Sequence, residues 1–283
     1  MRDFILLNYN LNVKKIYKDC FFVNNEKIKI VKLKKNIDDL DYLFTLSNSL
    51  YYKNILVDTF ILNKDGNCYT KKNDEYIILM KINDIVDDVI ELEYLKLFEQ
   101  ENNLKYKNIV EEWKEKIDDL EAKIGGFNNE YSIVQKTVNY YLGMAENAVS
   151  LLNETKNINN NSIGFKVKLV EFNKTTINNP FNFFKINKMY NIAIYIKNKI
   201  FKNMIDYNEL EKIIKEIKTK EDEIALFSYM LFPDYYIDIV NEEIKEEEIK
   251  KIIMYNKNYK KVLVFLKENM YKSNKLKLFV WLN

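Results

Sequence analysis

Residues 20–33 read CFFVNNEKIKIVKL, and this stretch decides the fold of the N-terminal part of the chain. Two β-rich arms, Cys20–Val23 and Lys27–Leu33, flank a turn-forming triplet at 24–26. The second arm alternates lysine with aliphatic residues, which is the pattern of a strand with one buried face. The stretch therefore predicts a β-hairpin.

The residues that follow predict one helix and two more strands. Apolar residues recur at helical spacing between Ile37 and Tyr52. The segment Ile55–Leu62 is β-rich, Lys64–Asn67 is a turn, and Tyr76–Ile82 is an apolar strand. The order strand, strand, helix, strand, turn, strand resembles the N-terminal lobe of protein kinases.

Beyond residue 84 the pattern becomes helical. Apolar residues from Val110 to Ile124 follow 3, 4, 3, 4 spacing, which predicts a helix that buries Trp113 and Ile117. Residues 133–152 predict a central core helix, 164–182 short strands around a loop, and 190–270 a series of helices ending in two, 244–255 and 259–270. The predicted fold class is α+β: a small β-rich lobe at residues 1–82 and a large helical lobe at 83–283, meeting at a cleft near residues 81–84.

Composition excludes several classes of protein. With 47% hydrophobic and 30% charged residues, the 283-residue chain has ordinary globular composition. No apolar run reaches the roughly 18 residues of a membrane span, and the first residues lack a signal-peptide layout, so we expect a cytoplasmic protein with no membrane partner. The net charge is +2 and lysines alternate with acids, so nucleic acid is not an expected partner.

The residue inventory also narrows the chemistry. The absence of histidine excludes Ser-His-Asp and Cys-His catalysis and any zinc site that depends on imidazole. Two cysteines, Cys20 and Cys68, are expected to be small buried residues. No glycine precedes Gly66, so the N-terminal part contains no phosphate-binding glycine loop. Catalysis would depend on Asp, Glu, Lys, Tyr or a metal held by oxygen.

A kinase-like phosphotransferase needs a strand lysine, a catalytic-loop Asp and metal-binding Asn and Asp residues. Lys32, with Lys29 as the alternative, is the candidate for nucleotide contact, although a solvated strand lysine is the favoured interpretation. No Asp occurs from Gly164 to Phe201, where the catalytic loop is expected. Glu171 is the one carboxylate there and is expected to be exposed, and Asn182 is a candidate mimic of a metal-binding Asn.

Glu146 interrupts the small, apolar face of the helix predicted at 133–152. Buried carboxylates are normally hydrogen-bonded or functional. Two interpretations stay open: a hydrogen-bonded core carboxylate that holds two segments together, and a ligand contact.

Five stretches of the helical part are informative together: Glu112–Glu121, Tyr140–Val149, Asn179–Phe183, Ala193–Lys197 and Leu231–Asp238. As a set they resemble CotS/YutH-like spore-coat proteins of endospore-forming bacteria. The resemblance covers about residues 15 to 270 and implies an aminoglycoside phosphotransferase-like (kinase-like) fold. The relatives carry a catalytic His/Asp loop and a later metal-binding Asp, whereas this chain has VKL at 167–169 and Ile186-Asn187.

We therefore expect a catalytically inactive, kinase-like scaffold (a pseudokinase) that binds protein partners, spore-coat components among them, either in the cytoplasm or in the spore coat. No cofactor or metal is expected beyond weak binding of ATP and Mg²⁺. Two alternatives stay open. One is an active small-molecule phosphotransferase that uses Glu171 as base and Asn182 at the metal. The other is an unrelated α-rich interaction protein.

Overall fold

A computed structural model describes residues 1–34, 39–83, 88–126, 132–155, 161–242 and 244–270, with Val170 described by its backbone alone. The predicted helix start at Ile37 and the edge of the predicted cleft at Asp84 lie outside these ranges.

The N-terminal part is built on a five-stranded antiparallel sheet. The predicted hairpin is confirmed, with Cys20 opposite Lys29 and with Asn24 and Asn25 both at positive φ in the turn. The order is β1-β2-β5-β3, and β4, which the sequence analysis did not predict, pairs with β5. The strands are β1 (Cys20–Val23), β2 (Glu26–Leu33), β3 (Thr59–Ile61), β4 (Thr70–Lys72) and β5 (Glu75–Ile82).

One face of the sheet packs against a helix that the sequence analysis missed, α1 (Arg2–Tyr9). Only two residues of α1, Ile5 and Tyr9, are buried, so its apolar periodicity is weak. They pack with Ile28 and Ile30 of β2, and the Tyr9 hydroxyl donates to the Ile77 carbonyl at 2.9 Å. The helix is thus stabilised by the sheet and not by its own pattern.

The opposite face packs against α2 (Leu40–Tyr52), within the predicted helical segment. Ile78 and Met80 of β5 share one core with Leu43 and Leu50 of α2. This core continues without a break into the helical part of the chain. The two faces of β2 therefore have different surroundings, α1 on one side and the main core on the other.

The helices that follow the sheet pack around one central layer of buried side chains. Trp113 and Ile117 of α4 are buried, as predicted, and the Trp113 ring stacks on Phe232 at 4.2 Å. The last predicted pair of helices is one continuous helix, α11. The elements are α3 (Leu92–Lys96), α4 (Ile109–Ile124), α5 (Ser132–Asn153), α6 (Lys174–Ile177), α7 (Lys188–Phe201), α8 (Tyr207–Glu216), α9 (Lys220–Leu231), α10 (Asp234–Glu242) and α11 (Glu246–Asn269). No helix in the described ranges is long and apolar enough to cross a bilayer.

The two cysteines differ in their surroundings. Cys68 is buried, as expected, and burial raises the pKa of its thiol to about 11. Cys20 is only half-buried because it lies on the edge strand β1, so the prediction of two buried cysteines is wrong for Cys20. Its thiol donates to Asp19 Oδ1 at 3.4 Å.

A second, short hairpin lies within the helical part, formed by β6 (Ser162–Phe165) and β7 (Phe183–Ile186). Residues 166–182 connect the two strands and contain α6 and two 3-10 turns, where short strands around a loop were predicted. We call residues 166–182 the loop segment.

Gly164 of β6 is expected to tolerate no side chain. A Cβ there would lie 2.4 Å from Ile186 Cγ2 and 2.9 Å from Phe184 Cζ. Gly164→Ala should therefore destabilise the protein by about 1–3 kcal/mol, measured as a lower urea midpoint. Gly143→Ala is the matched control: nothing lies within 4 Å of a Cβ there, and alanine favours a helix by up to about 1 kcal/mol. Equal midpoints for the two variants would contradict this account of the hairpin.

Candidate phosphotransfer site

The loop segment is closed by hydrogen bonds among its own residues. Asn173 and Thr176 form a capping box at the start of α6. Asn182 Nδ2 donates to the Thr176 carbonyl at 2.8 Å, and the Asn182 carbonyl accepts from the Lys166 amide at 2.8 Å. The Asn182 side chain thus holds the loop segment in shape.

The loop segment is also bonded to the N-terminal part. The Asp58 amide donates to the Asn178 carbonyl at 2.9 Å, and the Phe181 ring packs edge-on against Phe60 of β3 at 5.6 Å. Asp88 Oδ1 accepts from both the amide and the hydroxyl of Thr175, at 2.8 and 2.9 Å. The loop segment is therefore joined to the start of β3 through Asp58 and Phe60, and to Asp88, which follows the sheet in the chain.

Asp58 is the most perturbed carboxyl at this junction. It is 7% exposed, and burial raises its pKa to about 6. The Asn83 amide donates to it at 3.2 Å, and Lys29 and Lys27 oppose the shift by their charges. A buried carboxyl with such a pKa is a frequent mark of a functional position.

Two polar side chains complete the junction around Asp58. The Tyr94 hydroxyl donates to Asn178 Oδ1 at 2.7 Å, and the Asp58 carboxyl adds to the burial that raises the pKa of Tyr94. Asn178 is 1% exposed, and its Nδ2 has no hydrogen-bond partner among the described residues. Asp58, Asn83, Tyr94 and Asn178 therefore form a polar cluster with two buried members, Asp58 and Asn178, which we call the junction cluster.

Asn187 directly follows β7, and both polar atoms of its side chain form hydrogen bonds within the fold. Its Oδ1 accepts from the Met189 amide at 2.7 Å, which caps α7, and its Nδ2 donates to Asp222 Oδ1 at 3.2 Å. The side chain is completely buried. The amide therefore has a structural role at the end of the strand.

The carboxylates on α10 that lie nearest the loop segment are all paired with lysines. Asp234 Oδ1 lies 3.0 Å from the buried Lys197 Nζ, and Asp238 Oδ1 lies 2.7 Å from Lys116 Nζ. Glu242 pairs with Lys168 of the loop segment at 2.5 Å. Burial lowers the pKa of Lys197, and the Asp234 charge opposes this shift.

No protein-family model and no curated protein matches the sequence. The structure is similar to an aminoglycoside phosphotransferase from Alicyclobacillus acidocaldarius, with a TM-score of 0.70 at 8% identity over 95% of this chain and 96% of that chain. Spectinomycin phosphotransferase APH(9)-Ia, solved with ADP and spectinomycin, gives 0.59 at 10% identity over 100% and 98%. An amicoumacin kinase solved with AMP-PNP and Ca²⁺ gives 0.52 at 10% identity over 91% of each chain. The chain has an aminoglycoside phosphotransferase-like fold.

This fold confirms the predicted α+β, kinase-like class. It excludes the alternative of an unrelated α-rich protein, because the sheet packed on α2 belongs to the same fold as the helices. At 8–10% identity the likeness concerns the fold alone.

In a kinase-like fold the strand lysine must face the cleft and pair with a helix glutamate. Lys32 shares the α1 side of β2 with Ile28 and Ile30, because side chains alternate along a strand. Its acidic neighbour is Glu75 of β5, at 4.0 Å. Lys29 lies on the opposite face, toward Asp58, and α2 offers Asp41 but no glutamate. The structure therefore does not bring Lys32 and Asn182 together, and their nucleotide contact stays a prediction.

The prediction that Glu146 is a core carboxylate is wrong. Its neighbours Ala145 and Ala148 are buried, but Glu146 itself is exposed and has no ion pair or hydrogen bond within the described ranges. One residue is a 100° rotation on a helix, which is enough to move a side chain from the core to solvent. Glu171 is exposed, and its carbonyl accepts from the Thr176 hydroxyl.

The residues of this site do not fit a magnesium–nucleotide complex. Within the described ranges no group of three or more acidic or cysteine side chains could hold a metal ion. Asn187 caps a helix, Asn182 bonds within the loop segment, and Glu171 stands alone in solvent. No step of phosphoryl transfer can be assigned to these side chains.

The sequence analysis missed Asp58. A signal existed, because Asp58 is the one charged residue in a β-rich run from Ile55 to Ile61. An acid in such a run is either a strand end facing solvent or a buried functional group. Which of these two applies to Asp58 depends on its contacts with the loop segment, which lies more than a hundred residues away in the chain.

Proposed function

We propose that the protein is a catalytically inactive member of the kinase-like fold that acts by binding other proteins. One observation carries the proposal: the region from Gly164 to Phe201 contains no Asp, and its single carboxylate, Glu171, points to solvent. Phosphoryl transfer needs acids to orient the nucleophile and to hold the metal that neutralises the developing charge. One exposed glutamate does not supply both.

The contacts of the loop segment support the same proposal. Its hydrogen bonds run to Asp58 and Asp88, and its Phe181 ring packs on the sheet. These contacts tie the loop segment to residues 58, 60 and 88, and none of them involves a carboxylate of the loop segment itself. The fold then serves as a rigid support for a binding surface.

The partners are proposed to be proteins, spore-coat components among them, in the cytoplasm or in the coat. This part of the proposal rests on the sequence resemblance to CotS/YutH-like proteins. The second candidate is an active small-molecule phosphotransferase, which the likeness to two antibiotic kinases favours. It would use Glu171 as base and Asn182 at the metal.

Incubation of the purified protein with radiolabelled ATP separates the two candidates. The assay contains either Mg²⁺ or Mn²⁺. The phosphate acceptors tested are aminoglycosides, spectinomycin, choline and sugars. We expect no transfer above the buffer blank, because the acids that phosphoryl transfer requires are missing. A known aminoglycoside phosphotransferase, assayed in parallel, is the positive control.

Turnover above the blank that disappears in Glu171→Gln would overturn the proposal and establish the phosphotransferase. The matched control is Glu154→Gln, which changes a glutamate just beyond α5 and outside the loop segment. Turnover that survives in both variants would point to a contaminating kinase.

A further inference from the structure

A cavity of about 470 Å³ lies on the α1 side of the sheet, far from the loop segment in the chain. Its size falls in the range of small-molecule sites, roughly 300–1,000 Å³. Three of its lining residues are apolar and three are charged: Met1, Ile16, Ile30, Lys18, Asp19 and Lys32.

The cavity lies beside the N-terminal end of α1, where Met1 and Ile30 are among its lining residues. Ile5 and Tyr9 of α1 pack with Ile28 and Ile30 of β2, and Ile30 is 5% exposed. Both ends of α1 are fixed. The Tyr9 hydroxyl donates to the Ile77 carbonyl at 2.9 Å, and Arg2 Nη1 donates to the Lys14 carbonyl at 3.1 Å. The walls of the cavity are therefore held in place.

The charges around the cavity favour an anion. Lys18 forms no side-chain ion pair within the described part of the chain, and Lys32 has only a loose contact with Glu75, at 4.0 Å with both side chains about half exposed. Such exposed pairs contribute little. Asp19 is the one acidic side chain among the lining residues, so the lining side chains carry two positive charges and one negative charge.

The other cavity, of about 190 Å³ between α3, α7 and α8, has no such excess. Its lysines already face acids: Lys96 lies 3.0 Å from Glu216, and Lys188 lies 3.9 Å from Glu99. Of these two cavities, only the 470 Å³ cavity combines free cationic groups with apolar walls.

We propose that the 470 Å³ cavity binds an amphiphilic anion, that is, a short apolar chain with one carboxylate or phosphate head. The apolar part would lie against Ile16 and Ile30, and the head would lie between Lys18 and Lys32. This site is independent of the loop segment and of phosphoryl transfer. The proposal also gives Lys32 a ligand on the α1 side of the sheet, where the structure places the Lys32 side chain.

Isothermal titration calorimetry of the full chain tests the proposal with three probes of equal chain length, below their micelle concentrations. The probes are decanoate, monodecyl phosphate and decyltrimethylammonium. We expect both anions to bind at least about tenfold more tightly than the cation. The tighter of the two anions identifies the head group as a carboxylate or a phosphate.

Variants locate the binding. Lys18→Gln and Lys32→Gln should each weaken the anion by about three- to fivefold, and Ile16→Trp should abolish binding by filling the cavity. Lys34→Gln is the matched control, because Lys34 lies just beyond β2 and does not line the cavity. Unchanged thermal unfolding of each variant shows that the fold is intact.

Three results would overturn the proposal: no heat with either anion, equal affinity for cation and anion, or an equal loss in Lys34→Gln and Lys32→Gln. The last result would mean that general charge, and not the cavity, attracts the probe.

Discussion

Asp58→Asn is expected to stabilise the protein by up to about 3 kcal/mol at pH 7. The Asp58 pKa rises from 3.8 to about 6 on folding, and each unit of difference corresponds to about 1.4 kcal/mol. Asparagine stays neutral, so it removes the cost of burying a charge while its oxygen can still accept from the Asn83 amide.

The sign of the pH dependence follows from the same shift. The folded carboxyl holds its proton more tightly than the unfolded one, so between about pH 4 and pH 6 the folded state binds more protons. The Asp58 contribution to stability is therefore greatest at acid pH and is lost as pH rises to about 6. The gain from Asp58→Asn should be near zero at pH 4, grow to pH 6 and then level off.

Urea unfolding of the wild type and Asp58→Asn from pH 4 to pH 8 measures this gain. Asp65→Asn, in the exposed turn before β4, is the matched control, because it makes the same chemical change away from the junction cluster. A constant difference between wild type and Asp58→Asn across the range would contradict a raised pKa at Asp58.

A stabilising substitution at a buried acid also bears on function. Natural proteins keep such residues chiefly where activity or binding needs them. Asp58 joins Asn83 and the loop segment, so the cost of its burial is borne at the junction cluster.

Trp113→Ala is expected to cost about 3–5 kcal/mol of unfolding free energy. The Trp113 ring lies parallel to Phe232 at 4.2 Å, meets Tyr229 edge-on at 5.8 Å and is 4% exposed. Its removal leaves a large cavity between α4 and α9. Trp113→Phe keeps one ring in the stack and should lose less.

The urea midpoint measures the loss. Glu115→Ala, on the exposed side of the same helix, is the control for helix propensity and should change the midpoint little. An unchanged midpoint in Trp113→Ala would contradict the account in which the apolar face of α4 packs in the core through Trp113.

The sequence predicted those elements whose pattern is local. The alternation in β2 gave the hairpin and its pairing, and the 3, 4 spacing in α4 gave the burial of Trp113. The helix α1 was missed because its stability comes from the sheet rather than from its own periodicity. The division at residue 82 stays a prediction.

The site was harder to predict than the fold. The absence of Asp between residues 164 and 201 could be read directly from the sequence. The partners of the remaining polar residues could not, because Asn187 meets Asp222, and Asp58 meets Asn178, across long separations in the chain. Glu146 was predicted incorrectly for another reason. The predicted buried face of its helix was wrong by one residue, so an exposed acid was predicted to lie in the core.

Calorimetric titration of ATP with and without Mg²⁺ tests the central claim most directly. The claim is that this kinase-like fold has lost the side chains that hold a magnesium–nucleotide complex. We predict that any ATP binding has the same affinity with Mg²⁺ as with EDTA, since Glu171 is the one carboxylate between Gly164 and Phe201 and is exposed, and Asn182 and Asn187 bond within the fold. Tightening of ATP binding by tenfold or more on addition of Mg²⁺, reversed by Asn182→Ala, would contradict the claim.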